Sequence, residues 1–262
     1  ACGAGAYPEE CSEYRRGLAV VQLPDEGAYV VDVFRVTGGS THDWVLHGSA
    51  DEDQALNPTV QTSEYGDNLL PEGVDFVRWE SEYGNNIIDG QNNSYGLFRQ
   101  IDSANAHEDF SADFLGEDSA GMRTSVLGLD GMTAFFGRLP SIRRAKRTSA
   151  RAYDYWMPAM LLRRTGTDLK SVFAAIHEPF DGQPVITDVS RLELKGADAG
   201  SVGLVCKGEG FVDYHLLGSD PQSAMSASNE PISATGRYAF IRTVAGQVTR
   251  MAVVDGEAVN FR

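Results

Sequence analysis

Two histidines, His42 and His47, stand five positions apart in a run of strand-forming residues, with Asp32 and Arg35 just ahead of them. Imidazole titrates nearer neutrality than any other side chain, so a histidine on a rigid element is a ready proton donor or acceptor. The run is Tyr29-Val-Val-Asp32-Val-Phe-Arg35-Val-Thr-Gly38-Gly39-Ser-Thr-His42-Asp43-Trp44-Val-Leu-His47-Gly48. Val, Phe and Trp on either side of Gly38-Gly39 read as two strands, and glycines supply the positive φ that a tight connection needs. The reading is a β-hairpin in which Asp32 falls opposite His47. Alternation then puts Val30, Asp32, Phe34, Val45 and His47 on one face and Val31, Val33, Arg35, Trp44 and Leu46 on the other. Large apolar residues on both faces fit strands covered on two sides, where a buried Asp or His needs a partner.

This block resembles the start of the C-terminal β-sandwich domain of heparinase II/III-like polysaccharide lyases. Leu161-Leu-Arg163-Arg164-Thr-Gly166 and Ser171-Val-Phe173-Ala-Ala-Ile-His177-Glu178-Pro179-Phe180 resemble a later strand pair of the same domain. The order and spacing of the two blocks fit one domain over most of the chain. The acidic segment from Asp51 to about Gly90 matches nothing in that family.

The resemblance implies cleavage of uronate-containing acidic polysaccharide by β-elimination. A base removes the C5 proton, an acid protonates the departing O4, and polar groups neutralise the C5 carboxylate. In that family most of these groups lie in a helical toroid preceding the sandwich, so this chain alone is expected to supply only part of an active site and to be inactive by itself. His42 and His47 are the catalytic candidates, against the alternative of satisfied structural histidines. Arg35 and Arg163 could fork onto a substrate carboxylate or bridge an internal Asp or Glu. Trp44 and Tyr155, with Tyr14, could stack on sugar rings or belong to the core. His177 before Glu178-Pro179 reads as a turn-stabilising residue.

Some relatives hold a metal in this domain, and by resemblance Asp32 and His47 suit two of its three ligand positions. The third falls near Tyr14-Arg15, where no histidine stands, so a direct Asp32–His47 hydrogen bond is the alternative. No cofactor is certain; structural zinc at these residues, or calcium at the Asn/Asp-rich segment, are the candidates, although EF-hand spacing is missing. The resemblance also implies a periplasmic or extracellular location. A non-catalytic carbohydrate-binding or assembly module is the competing reading; it predicts exposed apolar patches or open edge strands.

The 262 residues suffice for a large core, and all-β chains of this length often form one domain. Strand-like runs punctuated by glycine recur from Leu18 to Val254, with one short helical stretch from Ser141 to Ala152. The expected architecture is all-β: a large antiparallel multi-stranded β-sandwich, supersandwich-like, with little helix. It comprises a leading segment over 1–16 and one domain over 17–262. A long polar loop region spans about 51–93, within which only Val74 to Glu80 looks strand-like.

A net charge of −15 argues against nucleic acid as partner and fits an anionic polymer poorly. Five of the 22 basic residues, Arg143, Arg144, Lys146, Arg147 and Arg151, nevertheless fall within nine positions, either facing a ligand or forming a solvated loop. No apolar run reaches the roughly 18 residues of a membrane span. The chain opens at Ala1 without signal-peptide features, which reads as processing or as a fragment of a lyase. Cys2, Cys11 and Cys206 match no zinc spacing; a Cys2–Cys11 disulfide is one open pairing and would suggest an oxidising compartment. Asn92-Asn93-Ser94 is a formal sequon.

Overall fold

A computed structural model of the chain describes residues 7, 9–74, 78–80, 86–88, 93–146 and 149–261. Its strands are β1 (Glu13–Gln22), β2 (Ala28–Thr37), β3 (Thr41–His47), β4 (Ala55–Pro58), β5 (Ser63–Gly66), β6 (Arg78–Glu80), β7 (Asn86–Ile88), β8 (Arg99–Asn105), β9 (Phe110–Leu115) and β10 (Ala120–Val126). They continue as β11 (Met132–Pro140), β12 (Trp156–Thr165), β13 (Lys170–Asp181), β14 (Ile186–Leu192), β15 (Leu194–Lys195), β16 (Val202–Gly208), β17 (Phe211–Leu217), β18 (Ala224–Ala227), β19 (Ile232–Val244) and β20 (Gln247–Phe261). One helical turn, α1 (Asn93–Gly96), and a 3-10 turn at Ser149–Asp154 are the helical elements among the described residues. The fold is all-β, antiparallel and sandwich-like. No helix among the described residues is long and apolar enough to cross a membrane.

Where the sequence leads one to expect a single β unit, the chain divides into two compact units. The first contains residues 1–39, 125–127 and 167–262; the second contains residues 40–124 and 128–166. In the first unit β1, β2 and β13 are neighbours in that order, and a second sheet runs β14-β16-β17-β19-β18-β15 with β20 beside β19. Tyr29, Val31, Val33, Ala174 and Ile176 from the first sheet pack against Val202, Leu204, Cys206, Phe211 and Phe240 from the second. This is a sandwich core built by period-two alternation. The opposite face of the second sheet has its own core of Val205, Tyr214, Leu216, Met225, Ala239 and Ile241. In the second unit the order β3-β12-β11-β8-β5 forms a sheet, with Ile101, Phe135, Ala159 and Leu161 packed beneath Leu69 and Phe98 on one face.

The expected β2–β3 hairpin does not form. β2 lies between β1 and β13, with Asp32 opposite Leu18 and Ala175, whereas β3 pairs with β12, with His47 opposite Ala159. β2 is apolar on both faces and so takes an inner position with a strand on each side. Gly38 ends it at φ +105°, and a Cβ there would lie 2.7 Å from the Glu10 carbonyl oxygen. Glycine is therefore required by a close backbone crossing rather than by a hairpin turn. β1 starts at Glu13, earlier than its apolar residues suggest. Arg15 pairs with Glu13, and the Arg16 guanidinium forks onto both oxygens of Asp32. Among the described residues, the region 51–93 carries four short strands, and the short helical stretch read at 141–152 consists of turns.

A buried polar network crosses the first unit's core. Tyr29 donates to Asp213 Oδ2 at 2.5 Å, and Arg242 forks onto both Asp213 oxygens. With Tyr29's proton so committed, its oxygen accepts from His215 Nε2 at 2.9 Å, which leaves His215 Nδ1 to accept from Tyr238 at 3.0 Å. His215 is thus neutral, and burial, followed by the Arg242 charge, lowers its pKa to about 3. The unfolded chain takes up this proton near its ordinary value of 6.5 while the folded chain does not. The stabilising term is therefore complete above that value and is lost as pH falls toward 3, by up to about 1.4 kcal/mol per pH unit. Urea midpoints measured between pH 7 and pH 4 should fall accordingly. His215→Asn should be less stable at pH 7 but show a flatter dependence.

Leu161 is fully buried, whereas Leu18 is 65% exposed. Leu161→Ala should cost about 2–5 kcal/mol and lower the denaturation midpoint at constant slope, and Leu18→Ala should stay within about 0.5 kcal/mol of wild type.

Candidate functional site

β3 presents two different faces. His42 and Trp44 are buried, and Asp43, Val45 and His47 point to the side that carries Ala159, Leu161 and Arg163 on β12. His42, 3% exposed, is therefore an interior residue, and Trp44, at 2%, has no ring face open to a sugar. His47 is exposed. Its Nδ1 lies 2.8 Å from the Gly48 carbonyl oxygen, which can only accept, so Nδ1 carries the proton and Nε2 of the neutral ring keeps its lone pair for solvent or a ligand. Two contacts fix this strand end: Gly48 N–H donates to the Pro158 carbonyl, and Gln54 Oε1 accepts from Ser49 N–H. A Cβ at Gly48 would lie 2.9 Å from both the Phe114 and the Pro158 rings, so the backbone is bare at the residue after the histidine.

Arg163 shares this face but is already engaged. Its Nε and Nη2 fork onto Asp43 at 2.8 and 2.7 Å, directly across the β3–β12 pair. Tyr95 lies over the guanidinium at 5.0 Å, and Tyr65 packs edge-on against Phe135. Burial and the hydrogen bond to Asp43 push the Tyr95 phenol up to about 12. Asp43 and His47 are four residues apart on β3, about 13 Å along a strand. They do not form one proton relay; they mark two points on a face where an extended ligand could lie.

The other expected residues are placed elsewhere. Arg35 is buried, with Nε donating to the Gly200 carbonyl at 2.7 Å and Nη2 to that of Leu217 at 3.0 Å, and burial lowers its pKa to about 10. It ties a loop to β17. Asp32 is held by Arg16 and by His177, whose Nε2 donates at 3.4 Å. Burial alone would raise its pKa, but the hydrogen bonds from His177 and Arg16 and their charges outweigh burial and lower it. With both oxygens occupied and His47 on a strand of the other unit, strand pairing does not join the two as expected. Among the described residues no group of three or more His, Cys, Asp or Glu side chains is placed to hold a metal ion. His177, read as a turn-stabilising residue, instead stands inside β13 and holds Asp32; it is its neighbour Glu178 that accepts from the Val185 and Ile186 amides.

Of the basic run, Arg143 pairs with Asp51, Arg144 with Asp53 and Arg151 with Asp154. Tyr155 lies against the Arg144 and Arg151 guanidinia and accepts from Arg151. Arg147 lies outside the described residues, as do Asn92 of the sequon and Cys2; Cys11 and Cys206 are free and buried.

Sequence reasoning missed a groove in the second unit, of about 590 Å³, lined by Gln54, Gln100, Asp102, Arg138 and Trp156 together with Asp53 and Asp154. It opens on the face of β11 and β12 opposite His47. The Arg138 guanidinium lies 4.6 Å from the Trp156 ring centre, and its buried Nε has no hydrogen-bond partner. A buried unpaired N–H costs about 1–3 kcal/mol. Phe-Phe-Gly-Arg ahead of Pro140, with Tyr-Trp opening the next strand, is the local signal for this pair. The pairing of Pro140 with Trp156 could not be read without the register.

In heteronuclear spectra near pH 8, His47 should show the Nδ1–H tautomer and His215 the Nε2–H tautomer; the reverse pattern at His47 would remove its free Nε2. No protein-family model matches the chain, and no curated protein matches it; the chemistry of the site rests on these residues and distances.

Proposed function

We propose that this chain is the β-sandwich part of a heparinase II/III-like polysaccharide lyase. In this reading a helical toroid, on a preceding domain or a separate chain, completes the site, and a uronate-containing polysaccharide is cleaved by β-elimination outside the cell or in the periplasm. The observation that carries it is His47: exposed, oriented by its own backbone, with a free Nε2, on a face shared with Arg163, Tyr95 and Tyr65. That face joins a proton-transfer group to aromatic rings and a polarised guanidinium, the residue types that elimination next to a carboxylate requires. His47 is the group that exchanges a proton with substrate. Arg163, tied to Asp43, is a positioning residue that holds Tyr95. An all-β sandwich is also what this reading requires.

A second reading, a non-catalytic assembly module, draws on β1. This strand stands at one end of its sheet order with Leu18 and Val20 exposed, at 65% and 75%.

The test is release of unsaturated uronate, followed by its ultraviolet absorbance, from alginate, heparan sulfate and hyaluronan, with this chain alone and with a helical toroid segment added. Product is expected only with the toroid. His47→Gln should reduce the rate on the order of 10²–10⁴-fold while leaving the thermal midpoint in place. An unchanged rate in that variant removes His47 from the chemistry, and self-association without product favours assembly through β1.

A further inference from the structure

The groove opposite the His47 face is a separate site, with features pointing to one class of ligand. It is set by a break in strand register: the β8–β11 pairing shifts between Phe136 and Arg138, and Gln100, on β8 beside the shift, takes φ +51°. A left-handed conformation at a non-glycine residue is costly, and bulges of this kind re-aim side chains. The Asp67 carboxylate holds the strained residue by accepting from Gln100 N–H at 3.2 Å. The consequence is a groove wall where Arg138, Gln100 and Asp102 lie beside Trp156.

The charges in this groove are nearly all answered. Asp53 is bound by Arg144 at 2.6 Å and Asp154 by Arg151 at 3.1 Å. Thr62 Oγ1 donates to Asp102 Oδ2 at 3.5 Å, leaving that carboxylate further acceptor capacity. Arg138 makes no ion pair among the described residues, and its Nε–H is left without an acceptor. A guanidinium lying over an indole ring presents its donors in a fixed plane, which suits a carboxylate taken in a forked geometry. Gln100, Thr62 and the Asp102 carboxylate supply the mixed donors and acceptors that hydroxyl groups need.

We propose that this groove binds a sugar carboxylate, with Arg138 receiving the carboxylate and Gln100 and Asp102 receiving the hydroxyls. The site is independent of elimination at the His47 face, since no groove residue named here lies on that face. Trp156 holds the guanidinium in place rather than offering the ligand an open ring.

Calorimetric titration of the full chain with a mannuronate trisaccharide, its carboxyl-reduced neutral counterpart and a sulfated, carboxylate-free galactan oligosaccharide tests the assignment. Saturable binding of the uronate, at least about tenfold tighter than of the neutral sugar and of the sulfated one, is expected. Arg138→Gln should lose about that factor toward the uronate and leave the neutral sugar unchanged, and Arg138→Lys, which keeps the charge but not the fork, should fall between. Equal affinity for the charged and reduced sugars, absence of saturable uronate binding, or preference for the sulfated ligand would each overturn it. Comparing ligands on the wild-type chain keeps the test decisive if either variant fails to fold. Because the titration involves no toroid and no turnover, uronate binding together with no elimination product when the toroid segment is added in the lyase assay would leave this site standing and remove the lyase reading.

Discussion

Asp32, Asp43 and Asp213 are carried by strands into places with little water, where an unpaired carboxylate would be costly enough to dominate local stability. Each is met by an arginine from a paired strand: Arg16 on β1, Arg163 on β12 and Arg242 on β19. Asp43–Arg163 and Asp213–Arg242 are directly opposed residues, and Asp32 is reached from the diagonal position beside Leu18. A slip of one residue would turn carboxylate and guanidinium to different faces and empty the apolar core onto the surface at the same time. These pairs specify register in a fold where almost every strand is apolar enough to pair with several others. Removing one partner is therefore far more damaging than the modest net worth of the pair would suggest.

The same constraint decides which cations remain for a ligand. Arg35, Arg163 and Arg144 have the residue type and strand or loop setting of substrate-binding groups, yet each is engaged by a carbonyl or carboxylate of this chain. A guanidinium near the interior is first a solution to a desolvation problem, and only one left without a partner is a candidate for recognition. Arg138 meets that condition at Nε. His47 meets the corresponding condition for a base, because a backbone carbonyl takes its one proton and no acid among the described residues sequesters the other nitrogen.

Much of the fold was legible because period-two alternation survives in strands such as β9, and because glycines mark strand ends. Phe211–Leu217, an apolar-rich run set off by Gly210 and Gly218 in the sequence, is β17 in the structure. Short strands such as Ala55–Pro58 and Ser63–Gly66 were not legible, because four residues of mixed polarity paired along an edge carry no periodic signal. The Gly38-Gly39 connection misled for a physical reason: glycine is demanded equally by a hairpin turn and by a close backbone crossing, and the choice is made by contacts with residues 10–11 far back in the chain. The site suffered from the same non-local dependence. His47 was legible from its type, but whether Arg35 faces a ligand or the Gly200 carbonyl depends on a partner 165 residues away.

The net charge of −15 looks like an obstacle to binding any polyanion, but its weight depends on distance. At physiological ionic strength the screening length is about 8 Å, so acidic residues spread over the surface contribute little at a given groove. Within the groove, Arg144 and Arg151 cancel Asp53 and Asp154, and Arg138 stands against Asp102. The local balance is close to neutral, and among the described residues the buried donor left without an acceptor in this groove belongs to a cation. Such a site takes an anion that also brings hydroxyl groups for the carboxylate beside it. It discriminates against a ligand that is only anionic, since that ligand would face Asp102 with nothing to donate.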